Sequence, residues 1–194
     1  MLVYFKRFVF WLFCNLAILC TIADAEPHLK IKKWENISFV THSSGGLLLD
    51  VFRPKDNNQR SAILCLHGGF WAKGSKKFMH PLAEGLVERG YVAVCSNYRL
   101  TDVAPAPAQL HDVFSAIRFL RENATDYGID PDKIGVTGSS AGGYLAVMAA
   151  VFDSGDKRTR PNAAVGMGAQ TDLTSQHIQN STVLNWSKFM GGFY

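Results

Sequence analysis

The sequence lacks the residue patterns on which several large classes of protein depend. Of its four cysteines, only Cys65 and Cys95 lie outside the apolar N-terminal segment, and neither has a Cys or His partner at metal-ligand spacing. The net charge is +4, but the basic residues are scattered, and no arginine-rich stripe or aromatic ladder indicates nucleic-acid binding. Internal repeats and low-complexity linkers are also absent. We therefore expect one globular domain without a metal or organic cofactor.

The N-terminus has the features of a secretory signal peptide. Lys6 and Arg7 precede an almost wholly apolar run from Phe8 to Ile22, and Ala-Asp-Ala at 23–25 is a small-x-small cleavage site. A retained membrane anchor is the alternative, but the run is shorter than the roughly 20 residues of a spanning helix. We expect residues 1–25 to be removed, residues 26–194 to form the folded domain, and the protein to be periplasmic or extracellular without a stable membrane span.

The rest of the chain alternates between strand and helix patterns. Trp34–Thr41 and Gly46–Arg53 are β-rich runs joined by a Ser-Ser-Gly-Gly turn, which predicts a hairpin. The strand-patterned runs that follow are Ser61–Leu66, Tyr91–Cys95, Lys133–Thr137 and Ala163–Met167, and the helix-patterned runs are Phe78–Arg89, Leu110–Leu120 and Tyr144–Phe152. Such alternation predicts an α/β domain with a mostly parallel sheet and helices on both faces.

A Gly-x-Ser-x-Gly pentapeptide, Gly138-Ser139-Ser140-Ala141-Gly142, lies between a predicted strand and a predicted helix. In a nucleophile elbow the central serine is held in a strained backbone conformation that exposes its hydroxyl at the top of a sheet. The pattern alone is common, and an ordinary strand–helix turn is the alternative. The strand before it and the helix after it favour Ser140 as an attacking nucleophile.

A second glycine-rich turn, His67-Gly68-Gly69, follows the buried strand Ser61–Leu66. Ester hydrolysis passes through a tetrahedral intermediate with an oxyanion, which backbone N–H groups stabilise. Glycines allow the backbone to approach closely, and the amide of Ala141 at a helix N-terminus is a further donor. Together the two motifs predict an oxyanion hole beside Ser140.

These motifs resemble the α/β-hydrolase superfamily, in particular the hormone-sensitive-lipase-like esterases and their BD-FAE branch, named for a bacterial feruloyl esterase. The matching stretches are Leu66-His67-Gly68-Gly69-Phe70-Trp71, Asn97-Tyr98-Arg99-Leu100, Gln109-Leu110-His111-Asp112 and the run from Tyr127 through Gly143. The resemblance implies Ser140 as nucleophile, an oxyanion hole formed by Gly68, Gly69 and Ala141, and no cofactor. Many relatives carry a third glycine where this chain has Phe70.

The resemblance also implies an acid and a histidine after the nucleophile, in that chain order. The candidates after Ser140 are Asp153, Asp156, Asp172 and His177, and none follows the strands that carry the acid and base in the family. We expect the catalytic acid and base to be absent from this chain, which resembles a C-terminally truncated hydrolase without its last strands. These residues alone are then expected to be close to inactive.

The resulting hypothesis is a serine carboxylesterase that acts through an acyl-serine intermediate on small acyl esters or on acetyl or feruloyl esters of carbohydrates. An arylformamidase-like amide hydrolase and a non-catalytic binding domain are the alternatives. Dinucleotide binding is excluded because Ser140 occupies the place of the second glycine of Gly-x-Gly-x-x-Gly, and no lysine completes a P-loop.

Three further expectations concern structure. Arg99 and Asp112 are expected to form an ion pair that fixes the loop after the strand Tyr91–Cys95. Trp71 lines the acyl pocket or packs in the core. Cys65 and Cys95 are expected to be buried free thiols, with a disulfide as the alternative in an exported protein.

Without further strands, Ala163–Met167 is expected to form an unprotected sheet edge. We predict that residues 26–194 produced alone are marginally stable and aggregate. Size-exclusion chromatography and thermal denaturation test this, and a soluble monomer that unfolds cooperatively would contradict it.

Overall fold

A computed structural model describes residues 30–173 and 189–191, and these form an α/β domain built on a six-stranded sheet. The elements in chain order are β1 (Ile31–His42), β2 (Gly45–Pro54), β3 (Arg60–Leu66), a 3₁₀ turn (Lys76–Met79), α1 (His80–Glu88), β4 (Val92–Ser96), α2 (Ala108–Glu122), the short α3 (Ala124–Tyr127), β5 (Ile129–Ser139), α4 (Ala141–Val151), a second 3₁₀ turn (Lys157–Thr159) and β6 (Ala163–Met167).

The sheet has the strand order β1-β2-β4-β3-β5-β6. β1 and β2 form the expected antiparallel hairpin, and β2 also pairs antiparallel with β4. The pairings of β4 with β3, β3 with β5, and β5 with β6 are all parallel. The predicted α/β fold with an N-terminal hairpin is therefore confirmed, with a parallel half that bears the glycine-rich turns and an antiparallel half beside it.

Helices cover both faces of the sheet because side chains along each strand alternate between them. Leu64 and Leu66 of β3 belong to the main core, which α2 and α4 cover, whereas Cys65 belongs to a second cluster under α1. The predicted helical stripe of α2 is buried as expected, from Leu110 to Leu120. This arrangement leaves the carboxyl ends of β3, β4 and β5 at one edge of the sheet.

Cys65 and Cys95 are buried free thiols, as the sequence indicated. They are partners in the parallel ladder of β3 and β4 and lie on the same face of the sheet. The hydrogen bond with Cys65, together with burial, raises the pKa of the Cys95 thiol. The Cys95 thiol is therefore a neutral core side chain rather than a reactive thiolate.

The start of β5 differs from expectation. Residues 130–132, expected to form a turn, lie inside β5, where the pairing with β3 shifts between Arg60–Ile129 and Ala62–Ile134. This bulge absorbs the extra residues, so the strand begins earlier than its apolar run. α4 begins at Ala141, the residue expected at its N-terminus, and Ser140 is its N-cap residue.

β6 lies at the end of the sheet order, with Val165 and Met167 exposed. Among residues 30–173 and 189–191, no helix is long and apolar enough to cross a bilayer. The predicted signal peptide, residues 1–25, lies outside the described residues.

The predicted ion pair between Arg99 and Asp112 is present and includes a third partner. Arg99 Nε and Nη2 donate to the Asp112 carboxylate at 2.7–3.0 Å, and the Arg99 backbone N–H donates to it at 2.9 Å. His42 Nε2 lies 2.9 Å from Asp112 Oδ1. Asp112 is fully buried, so this carboxylate ties the hairpin end and the segment after β4 to α2.

We predict that Asp112→Asn destabilises the domain by about 3 kcal/mol, because it leaves the Arg99 charge without its buried partner. Urea denaturation monitored by circular dichroism measures the change. Asp126→Asn, at an exposed position on α3, is the matched control and should change the unfolding free energy by less than about 0.5 kcal/mol. Equal midpoints for the two variants would contradict a structural role for the Asp112 contacts.

Candidate active site

Ser140 lies at the turn between β5 and α4 in a strained backbone conformation. Its φ of 52° and ψ of −115° fall outside the regions that non-glycine residues normally adopt. Its backbone N–H donates to the Met167 carbonyl at 2.8 Å, which fastens the turn to the end of β6. The residue is half-buried, so the turn presents a serine at the carboxyl edge of the sheet.

Close backbone packing explains the glycines around this turn. A methyl group added at Gly138 would lie 2.4 Å from the Gly142 carbonyl carbon, and one added at Gly142 would lie 2.3 Å from the Leu66 carbonyl oxygen. One added at Gly143 would lie 3.0 Å from the Gly138 carbonyl oxygen. The first turn of α4 therefore rests directly on the ends of β5 and β3, and only residues without Cβ fit there.

The loop after β3, defined here as the glycine loop (residues 67–75), lies against residues 138–142, defined here as the serine turn. A methyl group at Gly68 would be 2.9 Å from the Ser139 carbonyl oxygen and 3.4 Å from Ser140 Cβ. The amides of Gly68, Gly69 and Ala141 have no hydrogen-bond acceptor among the described residues. The structure thus brings Gly68 and Ala141 beside Ser140, and it leaves these predicted donors unoccupied.

The glycine loop folds back on itself through left-handed residues. Phe70 and Trp71 have φ values of 56° and 57°, and the Gly69 carbonyl accepts from the amides of Ala72 and Lys73. Phe70 thus takes a left-handed conformation at the position where many relatives carry a third glycine. This is a second strained segment at the same edge of the sheet.

Two side chains hold the base of this loop, and the sequence did not indicate either role. The Tyr98 hydroxyl donates to the His67 carbonyl at 2.8 Å, and His67 Nδ1 lies 2.9 Å from the Gly68 carbonyl oxygen. The two rings stack with centroids 4.3 Å apart. Burial lowers the pKa of His67, so the imidazole is neutral near pH 7.

A buried ionic cluster holds the other end of the loop. Lys76 Nζ donates to both carboxylate oxygens of Asp50 at 2.6 Å, and the same carboxylate contacts His80 Nε2 and the Asn36 amide. Burial favours a higher pKa for Asp50, but the hydrogen bonds from Lys76, Asn36 and His80 outweigh it and hold the pKa below its usual range. The Lys76 amide donates to Asn97 Oδ1 at 2.7 Å, so the loop ends on the segment after β4.

Aromatic side chains pack together between the glycine loop and α4. Trp71 is buried, stacks on Phe189 with centroids 4.2 Å apart and contacts the edge of Tyr144. Its indole N–H has no hydrogen-bond partner among the described residues. Trp71 therefore packs in the core, and through Tyr144 it also borders α4, the helix that starts at Ala141.

No described residue provides the base of a serine hydrolase by direct contact. Within residues 30–173 and 189–191 no histidine is hydrogen-bonded to Ser140. His42 and His80 contact carboxylates, His67 contacts the Gly68 carbonyl oxygen, and His111 is exposed. Asp156 contacts Arg158, which lowers its pKa to about 2. Asp153 accepts from the Gly155 amide, Asp172 is exposed, and His177 lies outside the described residues. The expected absence of acid and base from the chain stays a prediction.

The described residues also contain no cluster of three or more His, Cys, Asp or Glu side chains that could hold a metal ion.

The sheet order and the serine turn that joins β5 to α4 define the class of protein, an α/β hydrolase. The chain belongs to the BD-FAE family, whose model matches residues 49–187. The match includes the second half of β2, all of β3 to β6, the glycine loop and the serine turn.

Individual relatives agree with this assignment. The chain is 38% identical over 154 residues to esterase LipQ of Mycobacterium tuberculosis and 34% identical over 123 residues to rabbit arylacetamide deacetylase. It spans 36% and 31% of those sequences, and the matches cover 71% and 60% of this chain.

Solved structures give the same result. An esterase of Thermogutta terrifontis, Est2, superposes with a TM-score of 0.66 at 26% identity, covering 85% of this chain and 62% of that one. A truncated carbohydrate esterase from gut microbiota has a TM-score of 0.58 at 35% identity and covers 67% of this chain and 46% of that one.

We predict that Gly142→Ala lowers the unfolding free energy by about 3 kcal/mol, because the added methyl group collides with the rigid carbonyl of Leu66. Gly135→Ala is the matched control on β5, where the nearest atom to an added methyl group is 3.6 Å away. Thermal denaturation of both variants measures the difference. Equal melting temperatures would contradict the close contact between α4 and β3.

Proposed function

We propose that this protein is a serine carboxylesterase with Ser140 as its nucleophile. The observation that carries the proposal is the backbone of Ser140, held at a positive φ between a parallel strand and a helix, beside amides that have no acceptor among the described residues. Strain of this kind costs of order 1–3 kcal/mol and persists where function requires it. The named esterases among the relatives support the same reaction class.

In the proposed mechanism, Ser140 Oγ attacks the carbonyl carbon of the ester, and the carbonyl oxygen becomes an oxyanion. The amides of Gly68, Gly69 and Ala141 donate hydrogen bonds to that oxygen. The N-terminus of α4 adds a favourable partial positive charge at the same place. The alcohol departs, an acyl-serine forms at Ser140, and water then releases the acid.

The mechanism also needs a general base that takes the serine proton and passes it to the departing alcohol, and an acid that orients this base. No described residue contacts Ser140 in this role. The described residues thus offer candidates for the nucleophile and the oxyanion donors, and none for the base and its orienting acid.

For the substrate, we propose acyl or feruloyl esters of carbohydrates. The similarity to a carbohydrate esterase from gut microbiota, at 35% identity, supports this class. The half-buried ring of Tyr144, on the first turn of α4 after Ser140, offers an apolar contact for an acyl or aromatic group.

Amide hydrolysis is the second candidate, because one relative is an arylacetamide deacetylase. The two reactions share the tetrahedral intermediate, so the same nucleophile and donors serve both. Comparing hydrolysis of p-nitrophenyl acetate with that of p-nitroacetanilide distinguishes them.

We also propose that the protein is secreted, because Lys6, Arg7 and the apolar run to Ile22 form a pattern typical of a signal peptide. N-terminal sequencing of protein recovered from the culture medium or periplasm tests it, with cleavage expected after Ala25.

We predict that the protein produced from its natural gene releases a burst of p-nitrophenol from p-nitrophenyl acetate, and that Ser140→Ala abolishes it. A fluorophosphonate probe should label the parent protein and not the variant, because the label forms on the nucleophile. Mass spectrometry of the labelled peptide identifies the modified residue.

Ser139→Ala is the matched control, since Ser139 is exposed and precedes the turn. It should retain both the burst and the label. A burst that survives Ser140→Ala would exclude Ser140 as the nucleophile.

A further inference from the structure

We propose that Tyr98 and His67 are positioning residues that aim the Gly68 and Gly69 amides at the oxyanion. Tyr98 holds the carbonyl of the peptide group that contains the Gly68 N–H, and His67 holds the carbonyl of the peptide group that contains the Gly69 N–H. This inference rests on the proposed function, since it assigns a cause to the geometry of the oxyanion hole. It concerns two side chains that do not themselves contact the reacting atoms.

The first peptide group joins His67 to Gly68. Its carbonyl oxygen accepts the Tyr98 hydroxyl at 2.8 Å. The only cis peptide bond among the described residues is Ala106–Pro107, so this group is trans and its N–H points away from its C=O. Fixing the His67 carbonyl against Tyr98 therefore fixes the direction of the Gly68 N–H on the opposite side.

The second peptide group joins Gly68 to Gly69. Its carbonyl oxygen lies 2.9 Å from His67 Nδ1. A carbonyl oxygen can only accept, so Nδ1 carries the proton and donates it. The Gly69 N–H is then held in the opposite direction, and neither amide has an acceptor within residues 30–173 and 189–191.

Two glycines without such contacts would rotate freely, because glycine has access to a wide range of φ and ψ. Preorganised donors stabilise an oxyanion far more than donors that must reorient during the reaction. The stacking of Tyr98 on His67 makes the two hydrogen bonds one unit, since each ring limits the movement of the other. Tyr98 is buried, and burial raises the pKa of its hydroxyl, which therefore keeps the proton that it donates.

Gly74 encloses this unit from the other side. A methyl group at Gly74 would lie 2.6 Å from His67 Nδ1 and 2.7 Å from the Gly68 carbonyl oxygen. Its φ of 112° also disfavours other residues. The backbone thus closes over the His67–Gly68 hydrogen bond and protects it from competing water.

The experiment compares Tyr98→Phe with the parent protein from its natural gene. The phenyl ring retains the stack on His67 and removes only the hydroxyl. We expect kcat for p-nitrophenyl acetate to fall about 30-fold, less than the 10²–10³-fold loss caused by removing an oxyanion donor outright. KM should stay within about twofold, and the inhibition constant of an alkyl trifluoromethyl ketone, which forms a tetrahedral adduct, should rise in parallel with the fall in kcat.

Tyr127→Phe is the matched control, a half-buried tyrosine on α3 at the opposite edge of the sheet. It should retain kcat and inhibitor affinity. A lower melting temperature for Tyr98→Phe with kcat and ketone affinity at the parent level would reduce Tyr98 to a structural role and overturn the proposal.

Nitrogen-15 NMR of the unaltered protein provides a second measurement, which does not depend on whether Tyr98→Phe folds. The neutral His67 ring should carry its proton on Nδ1, and a proton on Nε2 would overturn the proposal. The two proposals fail differently. Hydrolysis that survives Ser140→Ala contradicts the proposed function, whereas its loss in Ser140→Ala with full activity in Tyr98→Phe contradicts only the positioning role.

Discussion

The close contact between the first turn of α4 and the ends of β5 and β3 is the constraint on which the rest of the structure depends. Gly138 and Gly142 permit backbone contacts that a single Cβ would block. This contact forces Ser140 into a positive φ, and it also brings Gly68, which follows β3, against the serine turn. The strained serine and the adjacent amides are therefore two results of one packing arrangement.

Buried polar contacts hold the glycine loop in place at both ends. At its start, Tyr98 and His67 bond the carbonyls of two successive peptide groups. At its end, Asp50 and Lys76 form a buried ion pair, and Asn97 Oδ1 accepts a hydrogen bond from the Lys76 backbone amide. Tyr98 and Asn97 both follow β4, so the neighbouring strand supports the loop that follows β3. A loop with four positive-φ positions, at 69–71 and 74, needs such support because its backbone gains little from its own conformation.

Much of the fold was predictable from local patterns. Continuous apolar runs identified β3, β4 and β6, and the 3.6-residue stripe from Leu110 to Leu120 identified α2. The ion pair of Arg99 with Asp112 was also foreseen, but the contribution of His42 was not, because it comes from a hairpin 70 residues away in sequence. The bulge in β5 was missed because residues 130–132 read locally as a turn, and only pairing with β3 makes them part of a strand.

The sequence by itself determined the strand–helix alternation, the glycines at the two turns and Ser140 as the candidate nucleophile, because periodicity and glycine spacing are local properties of the chain. Tertiary structure decided the strand order that places β3 between β4 and β5, and with it the meeting of Gly68, Ser140 and Ala141. It also decided the roles of Tyr98 and His67. Those roles depend on a hydrogen bond and ring stacking between the segments that follow β3 and β4. The two strands are adjacent in the sheet but about 30 residues apart in the chain, so no local pattern encodes these contacts.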